Sequence, residues 1–213
     1  MSIKVLIADD HKMMCEGLHY QLCNSPGIEV VGAVNNGREA VEMAQKVKPN
    51  IVIMDLNMPD LNGFEATRII RSRSSSVRIL VLSMYVDSLF VANALKAGAS
   101  GYVLKDRTFE DLVEAIRIID SGQIYLSPEI VTIVVSNYFS KDKTESASEV
   151  LTSREREVVQ LIAEGKRTKE IAATLCISPR TVGTHMRHIK VKLNTDSVVE
   201  VSKHAIREGI AFL

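Results

Sequence analysis

No stretch of this 213-residue sequence approaches the roughly 20 consecutive apolar residues that a membrane-spanning helix needs. The start, "MSIKVLIADD", meets two acids too early for a secretory leader, so a soluble, cytoplasmic protein with no membrane partner is expected. Cysteine is scarce. Cys15, Cys23 and Cys176 are odd in number and lack metal-ligand spacing, and on a shared helix Cys15 and Cys23 would lie about 12 Å apart along its axis. That excludes a disulfide framework and predicts reduced, buried thiols. Internal repeats are missing too, and net charge is zero only in sum. Residues 151–213 carry 11 Lys+Arg against 7 Asp+Glu, whereas residues 1–136 carry 13 against 16. Such a split marks one part for binding anions and the other for a different task.

What is present is enough apolar content, 46%, to bury real cores. The first 120 residues alternate short β-branched runs with amphipathic segments. The runs are "IKVLIA" (3–8), "IEVVGAV" (28–34), "IVIM" (51–54), "RILVLS" (78–83) and "GYVL" (101–104); helical patterns fall near 12–24, 37–47, 63–73, 87–97 and 108–121. Strict alternation predicts crossover units, hence an α/β doubly wound five-stranded parallel sheet with helices on both faces. Ser127 and Pro128 then start a helix that runs to about Phe139. "SKDKTESASE" (140–149) reads as a flexible linker. Beyond it every signal is helical. Thr152 and Glu155 form a capping box that opens a helix ending at Gly165, and further helices are expected at 168–175, 179–193 and 197–208. The predicted organisation is 1–122, a connecting helix and linker over 123–149, and 150–213.

In an open parallel sheet, ligands bind beyond the carboxyl ends of the strands, where strand order reverses. Asp9 and Asp10 end the first strand, Asp55 the third, Ser83 the fourth and Lys105 the fifth, so five polar side chains converge on one edge. Crowded carboxylates repel, and capture of a hard dication such as Mg2+ relieves them. A carboxylate so neutralised can attack a phosphoryl group, with a lysine offsetting charge on the transferred oxygens. Asp55, on a short turn, is the expected nucleophile; Asp9 and Asp10 are better placed to hold the ion.

"IADDH", "IVIMDLNMPDLNGFE", "VLSMY" and "AGASGYVLKD" together resemble the motifs of a bacterial response-regulator receiver domain over about residues 3–121. The resemblance implies a flavodoxin-like fold and phosphorylation of Asp55 by a sensor histidine kinase. It further implies Mg2+ held by Asp10, Asp55 and the carbonyl of Asn57 with help from Asp9, phosphate contacts from Ser83 and Lys105, and Tyr102 as an aromatic that moves with Ser83. Asp106 follows Lys105 where many receivers have proline, as in the NarL/FixJ subgroup. A hydrolytic phosphatase built on a strand-end aspartate would need a second acid two residues on, and that position is Asn57, so a regulator rather than an enzyme is expected.

From Lys166 to Asn194 the pattern is helix, tight turn, helix. Projected at 100° per residue, Val182, Met186, Ile189 and Leu193 form an apolar stripe, with Arg180, Thr184, Arg187, His188 and Val191 nearly opposite and Lys190 at the flank. That outer face suits a major groove. Arg187 is the best base reader, and Lys169 and Lys192 are available for phosphates. The stretch "LTSREREVVQLIAEGKRTKEIAATLCISPRTVGTHMRHIKVKL" resembles the LuxR-type helix-turn-helix domain of NarL/FixJ regulators. The resemblance implies double-stranded promoter DNA as partner, a homodimer when active, base contacts near Gly183, Thr184 and Arg187, and phosphate contacts from Thr181 and Lys190. Glycine at 183 departs from the family's common lysine, lacks a hydrogen-bonding side chain and predicts an altered site preference. His185 and His188 have no further ligands near them in sequence to suggest zinc. The overall expectation is a phosphorylation-controlled transcriptional regulator; the alternative is one that binds DNA without phosphorylation and uses the receiver as a dimerisation platform.

Overall fold

Each β-branched run becomes a strand because the amphipathic segment after it folds as a crossover helix and covers its apolar side chains. The computed structural model describes residues 2–139 and 151–211. The strands are β1 (Ile3–Ala8), β2 (Ile28–Val34), β3 (Ile51–Met54), β4 (Arg78–Ser83) and β5 (Gly101–Leu104), with α1 (Lys12–Cys23), α2 (Gly37–Val47), α3 (Gly63–Arg73), α4 (Ser88–Ala97) and α5 (Phe109–Asp120) between and after them. The sheet has a sixth strand that periodicity could not reveal: β6 (Tyr125–Leu126) has only two residues, too few for any pattern, and pairs in parallel with β5. Helix α6 (Pro128–Phe139) follows. Ser127 stands just before it, but its hydroxyl donates to the carbonyl of Tyr102 at 3.2 Å, fastening the helix start to β5. The sequence reading of 140–149 as a linker lies outside the described residues.

Strand order is β2-β1-β3-β4-β5-β6, all parallel, so β2 is added on one side of β1 and the later strands on the other, and strand order reverses between β1 and β3. Alternate residues Val5, Ile7, Ile51, Ile53, Leu80, Leu82 and Val103 bury against Leu18 and Leu22 of α1 and Leu112, Ile116 and Ile119 of α5. Each such side chain contributes roughly 1.5–3 kcal/mol of transfer free energy. On the other face Leu6, Val52, Met54, Ile79 and Val81 are likewise buried, as are Val41, Phe64, Ile70 and Val91 of α2, α3 and α4. The turn after β3 folds tightly back. A Cβ on Gly63 would sit 2.0 Å from the Asp55 carbonyl oxygen, so only glycine lets α3 begin so close to that strand end.

The chain divides into two compact units, Met1–Lys141 and Asp142–Leu213. The second contains α7 (Ser153–Ala163), α8 (Thr168–Thr174), α9 (Pro179–Lys192) and α10 (Val198–Arg207) around Val158, Val159, Leu161, Ile171, Val182, Ile189, Val201 and Ala205. The Thr152–Glu155 capping box forms. Gly165 stops α7 with φ of 80°, and Ser178 caps α9 with Pro179 in its first turn. The cysteine expectation needs correcting: all three thiols are free, but only Cys15 is buried. Cys23 closes α1 on its outer side, and Cys176 occupies the α8–α9 turn at φ 52° and is exposed there. Lys192 also differs from expectation. Its ammonium lies 2.6 Å from Oε2 of buried Glu155, which also accepts from the Thr152 amide at 2.8 Å, so it is not a free phosphate ligand.

Burial alone would raise the Glu155 carboxyl, yet Lys192 and Thr152 bring it below the usual glutamate range. The stability Glu155 supplies is therefore complete above that range and lost as pH falls through the lowered folded-state value. Glu155→Ala is expected to destabilise the helical unit by about 1–3 kcal/mol in urea unfolding at pH 7, with the gap from the parent closing on acidification.

Candidate functional site

Register delivers the acids to one place. Ala8 pairs with Met54 and the Asp55 amide donates to the Ala8 carbonyl at 2.8 Å, so Asp9 and Asp55 emerge side by side where strand order reverses. Ser83 pairs with Leu104, and the Lys105 amide donates to the Ser83 carbonyl at 2.9 Å, which sets Lys105 at the same edge. Its Nζ lies 2.7 Å from Asp9 Oδ2 and 3.2 Å from Asp55 Oδ1. Asp10 is partly exposed, while Asn57 is half-buried two residues past Asp55. His11 joins them. Its Nδ1 is 3.1 Å from Asp9 Oδ1 and 3.0 Å from Asp10 Oδ1, a contact that sequence reasoning missed although "ADDH" places the ring directly after the acids.

Two buried carboxylates share one buried ammonium, and the imbalance shows at Asp55. Burial, reinforced by Asp9 and opposed by Lys105, pushes the Asp55 carboxyl up to about 6. For Lys105, burial would strip the proton, but Asp9 and Asp55 outweigh it and hold the ammonium above its ordinary value. Asp55 Oδ2 is buried without a hydrogen-bond partner. Asp9, Asp10, His11 and Asp55 offer donor atoms all within 4.8 Å of one another. An orphaned carboxylate oxygen facing clustered oxygen donors fits a hard divalent cation, which would supply the missing positive charge.

Beyond Lys105 the edge continues into the β4–α4 loop. Ser83 is fully buried, and its Oγ accepts from the Tyr85 amide at 3.2 Å. The Tyr102 ring points inward with no exposed surface, and its hydroxyl donates to the Tyr85 carbonyl at 2.7 Å. Burial, partly offset by Ser83, pushes that phenol up to about 12. Tyr85 itself stacks on Phe90 with centroids 4.7 Å apart. Ser83 and Tyr102 thus act on each other directly and also share Tyr85, whose part no spacing rule announced.

In the helical unit, α9 buries Val182 and Ile189 and half-buries Met186 and Leu193, as the projection predicts. Arg180, Thr181, Gly183, Arg187, His188 and Val191 are exposed, with Thr184 and Lys190 intermediate. Lys169 is exposed on α8. The Thr184 hydroxyl donates back to the Arg180 carbonyl at 3.2 Å, and Thr181 Oγ1 shares a 2.8 Å bond with Ser178 Oγ at the helix start. Cationic, polar and apolar groups therefore line one open helix face, the composition that suits base edges flanked by phosphates.

Residues 5–117 match the response regulator receiver domain family, and residues 149–205 match the bacterial regulatory proteins of the luxR family. The chain is 36% identical to the nitrate/nitrite response regulator protein NarL of Escherichia coli K12, over 97% of this chain and 96% of that one. It is 35% identical to the transcriptional regulatory protein DegU of Brevibacillus brevis, over 97% and 94%. It also resembles a structure of two RcsB dimers bound to two parallel DNAs, at 25% identity and TM-score 0.60, covering 96% of this chain and 98% of that one. No helix among the described residues is long and apolar enough to cross a membrane. With a charged pocket at the sheet's reversal point and a helix-turn-helix later in the sequence, the chain belongs to the NarL/FixJ-type response regulators and is a phosphorylation-controlled, DNA-binding transcriptional regulator.

Proposed function

We propose that Asp55 accepts the phosphoryl group from a sensor histidine kinase, and that the modified receiver, in the cytoplasm, promotes a homodimer that grips promoter DNA. The observation that carries this reading is a buried Asp55 carboxylate with Oδ1 3.2 Å from the Lys105 ammonium and Oδ2 unpartnered, beside the other acids. An Asp55 oxygen attacks phosphorus, the bond from phosphorus to the donor imidazole nitrogen breaks, and that nitrogen leaves with its electron pair. Asp10, Asp55 and the Asn57 carbonyl, with Asp9 alongside, would hold Mg2+, which neutralises charge on the transferred oxygens. Lys105 leaves its ion pair with Asp55 to bind a phosphoryl oxygen, and the Ser83 hydroxyl, turning its O–H to donate to another, moves off the Tyr85 amide from which its oxygen accepts. Tyr102 is then released from the Tyr85 carbonyl, which links pocket and loop. This assigns residues 1–122 to the receiver, 123–149 to the connection and 150–213 to DNA binding. There Arg187, Thr184 and Gly183 face bases, while Lys169, Arg180, Thr181 and Lys190 face phosphates.

Incubation of the full chain with a small phosphodonor and Mg2+ should label the parent at one site, and Asp55→Asn should not label. Persistent labelling of a folded Asp55→Asn protein would refute the assignment. A second consequence concerns stability without added metal. The raised Asp55 value means that its ionised form opposes folding: the stability tied to its proton is present below about pH 4 and lost as pH rises through 6. Metal-free Asp55→Asn should therefore be more stable than the parent at pH 8 by roughly 2–3 kcal/mol, and Mg2+ should narrow the gap by stabilising only the parent. On the DNA side, Arg187→Ala should weaken binding to a site selected from random sequences by the parent by roughly 1–3 kcal/mol, with far less effect on unselected DNA. Equal losses on both would reassign Arg187 to a phosphate.

A further inference from the structure

Gly183 lies in the middle of α9, where glycine costs about 1 kcal/mol of helix stability relative to alanine. Nothing among the described residues asks for it. Its φ is not positive, and a Cβ built there would meet no atom within 4 Å among the described residues, so neither backbone strain nor close packing excludes a side chain. By contrast, Gly63 and Gly37 would drive a Cβ to 2.0 and 2.2 Å from a neighbouring carbonyl oxygen, and their requirement is internal. Empty space alone does not set 183 apart, since Gly17 inside α1 meets nothing either; what sets it apart is the open recess beside it. Gly183 lines an open recess that Met186, Arg187, Lys190 and Val191 continue along the helix and that Asn194, Thr195 and Asp196 bound at the far end. Val191 is 75% exposed, so part of this recess is apolar and uncovered.

We propose that the recess reads the 5-methyl group of a pyrimidine in the major groove, normally thymine, by shape and apolar contact. This rests on the reading of α9 as the recognition helix. The bare Cα of Gly183 brings backbone close to the base edges, while Arg187 and Lys190 hold neighbouring polar edges and phosphates. A methyl group is the one apolar projection that base pairs display in that groove, and it distinguishes A·T from G·C without a hydrogen bond. A side chain at 183 would occupy the methyl's place, so here the absence of an atom is the recognition element. Position 183 thereby determines specificity, although it donates and accepts nothing through a side chain.

The test uses the full-length protein and a DNA site that the parent selects from random sequence. Each thymine is replaced singly by uracil, which lacks only the methyl, and separately by 5-methylcytosine in a G·C pair, which keeps the methyl on the other base pair. At one thymine per half-site, uracil should weaken the parent about fourfold, the equivalent of one buried methyl, and 5-methylcytosine should bind better than cytosine there. Gly183→Ala should unfold at higher denaturant concentration than the parent, yet lose both methyl effects. Flat responses to uracil at every position, with site selection intact, would overturn this inference alone; failure of the parent to select any site would overturn the DNA-binding assignment of α9 beneath it. A less stable Gly183→Ala protein would return the glycine to a structural role and also overturn the proposal.

Discussion

Two buried carboxylates held by one buried ammonium govern the first unit. Asp9 and Asp55 are forced together because β1 and β3 are adjacent in the sheet and in register to their last residues. Lys105 arrives from β5, at the same edge but two strands away from β3. The arrangement is electrostatically incomplete: one positive charge is divided between two negative ones, and an oxygen of Asp55 lacks any partner. An incomplete site of this kind can exist only where the surrounding sheet is stable enough to carry its cost. The near-continuous burial of β1, β3, β4 and β5 supplies that support.

The same incompleteness connects pocket and loop. Ser83, Tyr85 and Tyr102 form a short chain of contacts from the strand end to a buried ring, with Tyr85 bonded through its amide to one and through its carbonyl to the other. Whatever takes the Ser83 hydroxyl away from that amide removes one of the two restraints on Tyr85. Because interiors are close-packed, the ring and the loop settle into discrete arrangements rather than a continuum. Ser127 then ties the Tyr102 carbonyl to the first turn of α6.

Much of this was legible in the chain. Strand ends at Ala8, Met54, Ser83 and Leu104 follow from β-branched runs closed by polar residues, and those ends alone place the acids and Lys105 at one edge. The helix-turn-helix was equally readable, because Thr152, Gly165, Ser178 and Pro179 punctuate it and its apolar stripe repeats at 3.6 residues. What escaped depends on tertiary geometry. β6 is too short to carry a period, and its pairing is set by where α5 delivers the chain. The ring of His11 finds the acids only because the β1–α1 turn folds it back, and the pairing of Lys192 with Glu155 joins residues 37 positions apart. Cys23 and Cys176 were misplaced because cysteine's average preference for the interior says nothing about which face of a turn a particular thiol occupies.

The ion pair between Lys192 and Glu155 has a consequence for ionic strength. Glu155 caps the first helix of its unit while gripping the tail of α9, so one shielded carboxylate fixes where that helix points. Phosphate contacts made by exposed lysines and arginines weaken steeply with added electrolyte, whereas a pair whose acid is almost wholly enclosed is screened far less. Brine would therefore detach a nucleic acid held by such side chains long before it loosened the aim of the helix, and dilution would find that helix already set.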